Sequence, residues 1–323
     1  MRKTKKTLFV SLIMIVLFAN PLAKVALTQE EQFPSKPIKL IVGSGPGSSS
    51  DVITRALSQA AEKSLGQPII VQNLPGSSGL RALAALRKEK PDGYALASIT
   101  GSALIAIYAE NLGYSLNKDF TPIMQHCTTS RPFAVRKDAP WNTWEEFVEY
   151  ARTHKGSITV GVWGSRSIAH VMAKEIQKKA GIEFVFVPFV SSGKCHGAVL
   201  GGHLTANLLT SGYIHARSGE FKPLLIFGNH RVKSFPEVPT SNELYGVGED
   251  VSFFQILGPK GVSKQKVMKL DNALKKAMED SNYREMTEKM DIVIQYRSSE
   301  ESRKAIEKTE KDVKERMSQI ISK

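Results

Sequence analysis

Four stretches of this chain share one grammar: a β-branched run, a turn built of glycine and serine, then a helical pattern. They read IKLIV-GSGPGSSSD (38–51), PIIVQN-LPGSSGL (68–80), ITVGVW-GSRSIAH (158–170) and FVFVPF-VSSGKCH (184–196). Strands alternating with helices predict an α/β fold with largely parallel sheets. In such sheets the turns gather at the carboxyl ends of the strands, where open α/β folds bind ligands. Any one turn has a plain reading, since glycine and serine are ordinary turn and cap residues. Ser48 and Asp51 have capping-box spacing. Four turns together point to a shared cleft, and helix N-termini facing it favour an anion.

The first turn leads into a helix over 51–65 with Val52, Ile53, Ala56, Leu57, Ala60 and Ala61 on one face. A second helix is expected near 79–89, a strand at 94–100, helices near 167–180 and 194–200, and strands in HLTANLLT and FKPLLIFG. The charged segment 135–156 opens a new set of βα units, and a polar stretch (229–250) precedes VSFFQILGPKGV. This predicts two α/β domains: 34–130 with 253–323, and 131–252. The chain then crosses between them at least twice.

The N-terminus, MRKTKKTLFVSLIMIVLFA, sets Arg2, Lys3, Lys5 and Lys6 before an apolar stretch from Leu8 to Ala19. That is a secretory signal pattern over 1–27, short for a membrane span, with an uncleaved anchor as the alternative. No cysteine lies nearby to carry a lipid. An extracytoplasmic chain, in the periplasm or at the cell surface, follows. Its net charge of +13 falls to +9 without the four leader cations. Much of the rest lies in KKAMEDSNYREMTEKM and the C-terminal EESRKAIEKTEKDVKERMSQIISK, where Lys and Glu alternate as on solvated helical faces. Nucleic acid is excluded as a partner, because the basic residues do not interleave with aromatics. Cys127 and Cys195 read either as small buried hydrophobes or, in an oxidising compartment, as a disulfide.

The glycine turns fit no nucleotide motif. Gly43-x-Gly45-x-Gly47 lacks the G-x-G-x-x-G spacing, and no G-x-x-x-x-G-K-[ST] occurs. The anion is therefore smaller than a nucleotide. No nucleophile elbow or H-E-x-x-H helix occurs either. Adjacent Cys195 and His196 point apart on a helix, which is poor thiolate–imidazole geometry. His126/Cys127 and Cys195/His196 lack metal-ligand spacing, and His170 reads as a packed group. No enzyme activity, metal or cofactor is expected.

FPSKPIKLIV, PGSSSD, LGQPIIVQNLPGSSG and KPDGYAL stand in order along the chain. They resemble the blocks YP-x-(K/R)-PI-(K/R)-(L/I)-(V/I)-V, PGG-x-x-D, LGQPVVVENRPGAGG and APDGYTL of the extracytoplasmic solute receptors of tripartite tricarboxylate transporters, the Bug receptors. KDFTPI, VPF, AVLGGHL, FPEVPTSNEL and GPKGVSKQKVMKLDNALKKAMED continue the likeness over nearly the whole exported chain. The resemblance implies a two-domain, periplasmic-binding-protein-like Venus-flytrap fold. A monomer would close on a small organic carboxylate, a di- or tricarboxylate or related acid. It would pass the acid to a permease of one large and one small membrane subunit.

Carried over by position, the ligand would be flanked by Ser44, Gly45, Pro46, Gly47, Ser48, Ser49 and Asp51, and by Gly164, Ser165, Arg166 and Ser167. Pro75, Gly76 and Ser77, Thr100 and Ser102, Ser191 and Ser192, and Phe253 with Phe254 would complete the pocket. Ser48 replaces the family's second glycine and Ser44 an aromatic; Phe189 replaces a tyrosine, Val190-Ser191 a Lys-Gly, and Thr205 an aspartate. These changes make the pocket more hydroxylic. Arg166 reads either as a fork for a second carboxylate or as a rim arginine in solvent. A sensor feeding a membrane kinase and an exported hydrolase remain the alternative functions.

Overall fold

The computed structural model describes residues 32–163, 168–189, 192–248 and 252–321. The predicted leader, 1–27, lies outside these residues. The chain divides into Met1–Ser35 and Lys36–Lys323, and both sheets belong to the second unit.

Its elements run β1 (Ile38–Val42), α1 (Ser49–Leu65), β2 (Ile69–Asn73), α2 (Leu80–Leu86), β3 (Ala95–Thr100), α3 (Gly101–Ala109), α4 (Leu116–Asp119) and β4 (Phe120–Thr128). Next come β5 (Arg131–Arg136), α5 (Trp144–Thr153), β6 (Ile158–Trp163), α6 (Ile168–Ala180), β7 (Phe184–Phe189), α7 (Ser192–Leu200) and β8 (Ala206–Leu208). The rest are α8 (Ser211–Ala216), β9 (Phe221–Phe227), α9 (Ser241–Tyr245), β10 (Phe253–Pro259), α10 (Lys264–Ala277), α11 (Ser281–Lys289), β11 (Val293–Arg297) and α12 (Ser299–Ile321). The predicted helix near 79–89 starts with a short 3₁₀ turn at Ser77–Gly79 and ends earlier, at Leu86.

The strands form two sheets, ordered β11-β4-β10-β3-β1-β2 and β7-β6-β8-β5-β9. The fold is mixed α/β with two domains, one around each sheet. Only part of each sheet is parallel: β2-β1-β3 in the first and β7-β6-β8 in the second. The other strands pair antiparallel. The reason is the route of the chain. It leaves the first sheet after β4, enters the second at β5, and returns after β9 to slot β10 between β3 and β4. A strand entering from the opposite side runs against its neighbours.

Local sequence explains the elements that face the cleft. In α1, Ile53, Leu57, Ala60 and Ala61 are buried at helical spacing. Burying Ile53 and Leu57 contributes about 1.5–3 kcal/mol each. Asp51 in the first turn and Lys63 in the last complement the helix dipole. α3, GSALIAIYA, is apolar on nearly every side and largely buried, as such a composition requires. One apolar cluster runs from Leu83 and Leu104 in the first domain to Val160 and Met172 in the second. Cys127 and Cys195 are buried thiols and form no disulfide. No described helix is long and apolar enough to cross a membrane.

Candidate functional site

A cavity of about 550 Å³ is lined by residues from both sheets. From the first domain come Ser44, Gly47, Ser48, Ser49 and Ser50 at the start of α1, and Thr100 at the start of α3. Phe254 of β10, Met290 and Ile292 add an apolar wall. Thr129, Arg131 and Ser252 come from the two crossovers, and His196, Thr210, Ser211 and Tyr213 from the second domain.

The first turn is held from behind. Asp51 is buried, and its carboxylate accepts from Gly47 N (2.9 Å), Arg55 Nε (2.9 Å) and Asn73 Nδ2 (2.8 Å). Burial pushes this carboxyl up, but bonds from Asn73 and Gly47 and the charge of Arg55 outweigh it, so its pKa lies below the ordinary value. Ser48 Oγ accepts from Asp51 N at 3.3 Å, which forms the predicted half of a capping box. The reciprocal half is lost, because the Asp51 carboxylate takes Gly47 N instead. Gly43 allows the second turn to buttress the first, since a Cβ there would stand 3.0 Å from Gly79 Cα.

Away from the cavity, Ser115, Thr143, Thr240, Ser263 and Asp280 each accept a backbone N–H of the helix they cap. Thr100 and Thr210 cap α3 and α8 without such a bond, and both line the cavity. Antiparallel pairing sets Phe254 opposite Thr100 and Phe253 opposite Thr128. Strand alternation then decides between the two phenylalanines. Phe254 faces the cavity and Phe253 joins the buried core.

Among the described lining residues, Arg131 carries the positive charge. It is half-buried at the start of β5, and its Nε donates to Ser252 Oγ at 3.2 Å. Loss of water pushes its pKa down to about 10, still cationic at neutral pH. Burial and the charge of Arg217 push His196 down to about 4, so that imidazole is neutral. Its ring leans on Tyr213, with centroids 4.3 Å apart. None of the described lining residues is Asp or Glu. Burial pushes the Cys195 thiol up, against the bond from Asn207, which leaves it no thiolate character.

Of the residues expected at the site, Ser44, Gly47, Ser48, Ser49, Thr100 and Phe254 share this cavity. Gly45, Pro46, Asp51, Ser102 and Phe253 are not on its wall; Asp51 instead shapes the turn behind it. Pro75, Gly76 and Ser77 also stand off the wall, in a loop closed on itself by Arg81 Nη1 donating to Pro75 O at 3.1 Å. Thr205 is engaged with Thr159 rather than the cavity. Gly164, Ser165, Arg166, Ser167 and Ser191 lie outside the described residues, as does the side chain of Ser192. Arg131, Thr210, Ser211, Tyr213 and His196 are absent from the sequence-based set. For Thr210 and Ser211 a signal exists, because ANLL-TSG-YIH repeats the strand–turn–helix grammar.

Residues 53–323 match the family described as TctC, the tripartite tricarboxylate transporter family receptor. The chain belongs to this family. It is a solute receptor and not an enzyme. The "UPF0065 protein in gbd 5'region" of Cupriavidus necator is 34% identical to the receptor over 281 residues, 86% of each chain. A solved TctC solute-binding protein from Polaromonas superposes with a TM-score of 0.76 at 29% identity, over 89% of the receptor and 99% of that chain. MatC from Rhodopseudomonas palustris, solved with bound malate, shares the fold: TM-score 0.73, 23% identity, 88% of the receptor and 99% of that chain.

Proposed function

We propose that this receptor works outside the cytoplasm, captures a small organic carboxylate in the cavity between its two domains, and delivers it to the large and small membrane subunits of a tripartite transporter. The observation that carries this reading is the cavity's lining: Arg131 is on the wall, none of the described lining residues is Asp or Glu, and the N-terminal turns of α1 and α3 face in. Each helix end favours an anion by about 0.3–1 kcal/mol, and up to ~2 when partly buried. A charged hydrogen bond to a guanidinium adds about 1.5–3 kcal/mol. Family membership supplies the transporter, and a protein of the same fold holds malate. The domain division at 130/131 and 252/253 and export through residues 1–27 belong to the same proposal. It draws its ligand contacts from Ser44, Gly47, Ser48, Ser49, Thr100 and Phe254, with Arg131 added.

A thermal-shift screen over mono-, di- and tricarboxylates tests the reading. A true ligand at a hundred times its Kd stabilises the fold by about 2.7 kcal/mol, a Tm rise of roughly 5 °C. No shift with any carboxylate overturns it.

A further inference from the structure

The serine and threonine turns of α1 and α3 give the cavity a polar side, and Phe254, Tyr213, Met290 and Ile292 give it an apolar one. The apolar side is built in place. Phe254 is set by pairing with Thr100 and lies against the His126 ring, centroids 5.9 Å apart. The Tyr213 ring packs on His196 at 4.3 Å, with the Arg217 guanidinium 5.3 Å away. Met290 and Ile292 stand on the turn between α11 and β11. Its backbone is tied by Met290 N to Met286 O (3.2 Å), Asp291 N to Glu288 O (3.0 Å) and Ile292 N to Thr287 O (2.8 Å). Asp291, between them, is left-handed (φ 53°), and the turn presents both neighbours to the cavity. The same turn meets the second domain, where Ser211 Oγ donates to Asp291 O at 2.9 Å and Gly212 packs on the Met290 carbonyl. An occupant that touches Met290, Ile292 and Tyr213 therefore touches both domains where they meet.

We propose that the cargo is an aryl monocarboxylate, its acid group on the turns of α1 and α3 and its ring against Phe254, Tyr213, Met290 and Ile292, with Met290 and Ile292 as specificity-determining residues. This rests on the carboxylate reading of the cavity and names its substrate class. A second carboxylate turned toward Phe254, Met290 and Ile292 loses water and finds no donor in those side chains. An apolar body gains there. A ring gains most, through edge and offset contacts with the other rings and with the methionine thioether. About 550 Å³ is room enough for such a body beside its carboxylate. Selection therefore comes partly from a penalty on the wrong ligand.

Calorimetry on the full exported chain decides this, with benzoate, phenylacetate and 3-phenylpropanoate set against propanoate, succinate and glutarate, for wild type, Met290→Gln, Met290→Leu and Ile292→Thr. The wild type is expected to bind its best-fitting aryl acid about tenfold or more tightly than propanoate or either diacid. Met290→Gln and Ile292→Thr put polar atoms on the apolar side, and each should lower the ratio of aryl-acid to diacid affinity about 5- to 20-fold. Met290→Leu keeps that side apolar and should hold the ratio within about threefold. A diacid bound more tightly than every aryl acid, or a ratio unmoved in Met290→Gln, overturns the aryl assignment while leaving the carboxylate receptor intact. Failure of the wild type to bind any of the six acids overturns both. Should Ile292→Thr not fold, the contrast between Met290→Gln and Met290→Leu carries the decision: equal ratios sink the proposal.

Discussion

The two domains meet at the crossovers and again at the rim of the cavity, and the two meetings are built differently. At the crossovers Thr129 N donates to Ser252 O at 2.8 Å, Thr128 Oγ1 donates to the same carbonyl at 3.2 Å, and Arg131 Nε donates to Ser252 Oγ at 3.2 Å. At the rim α8 presses on the segment before β11. Ser211 Oγ donates to Asp291 O at 2.9 Å, and a Cβ on Gly212 would stand 2.3 Å from Met290 O. Farther out, Lys233 pairs with Glu288 on the surface. Backbone pairing beside a chain connection persists through small rotations, so the crossovers have the character of an axis. The rim joins segments about eighty residues apart in sequence, through a side chain and one bare glycine. The crossovers are held by one backbone bond and two side-chain bonds, all converging on Ser252, and the rim by close fit.

The largest expected effect is therefore at the rim. Gly212→Val places carbon where the Met290 carbonyl stands, and overpacking of this kind costs about 1–3 kcal/mol. Ligand affinity should drop roughly 5- to 150-fold, and the melting temperature without ligand should fall by a few degrees. Calorimetry and differential scanning fluorimetry read the two quantities. An affinity that holds would show that the rim contact plays no part in capture.

Acid loads both sides of the comparison. Burial holds His126 near pKa 3 and, with Arg217, His196 near 4; both sit below the ordinary value of about 6.5. Each is neutral in the fold, while the unfolded chain takes protons below about pH 6.5. Their contribution is therefore complete above that pH and falls away as the pH drops toward 4 and then 3. At pH 5 the loss is about 2 kcal/mol per histidine. His126 lies behind the wall, with Nδ1 3.0 Å from Tyr283 Oη and its ring 5.9 Å from that of Phe254. His126→Gln should flatten the slope of melting temperature between pH 7 and 5; an unaltered slope removes His126 from the acid response.

The smallest effect belongs to the surface pair. Lys233→Ala should leave affinity and stability within error, and added salt should leave the variant and the wild type alike, because exposed ion pairs are screened. A clear loss would move part of the rim's work from fit to charge.

Much of the first domain's share of the site was legible from neighbouring residues. IKLIV, the glycine–serine turn and the Ile53–Leu57–Ala61 spacing place Ser44, Ser48 and Ser49 ahead of a helix whose free N–H groups face outward. Phe254 was legible only as half of a pair. A strand's period of two says that one phenylalanine of Phe253–Phe254 faces in, and pairing with Thr100 decides which. Arg131 carried no local signal. In sequence it is a cation at the start of a strand, and the fold sets it against Ser252, 121 residues away. Ser102 and the 75–77 turn were placed by likeness of pattern, but helix and loop packing keep them off the wall.

By itself the sequence determined where strands and helices lie and that serine-rich turns precede the helices, because those properties depend on residues within a few positions of one another. Tertiary structure alone decided which turns share one cavity and which charge stands on its wall. Thr210, His196 and Arg131 come from separate units of the second domain, and pairings across eighty residues or more, Ser211 with Asp291 and Thr129 with Ser252, join that domain to the one that carries α1 and α3.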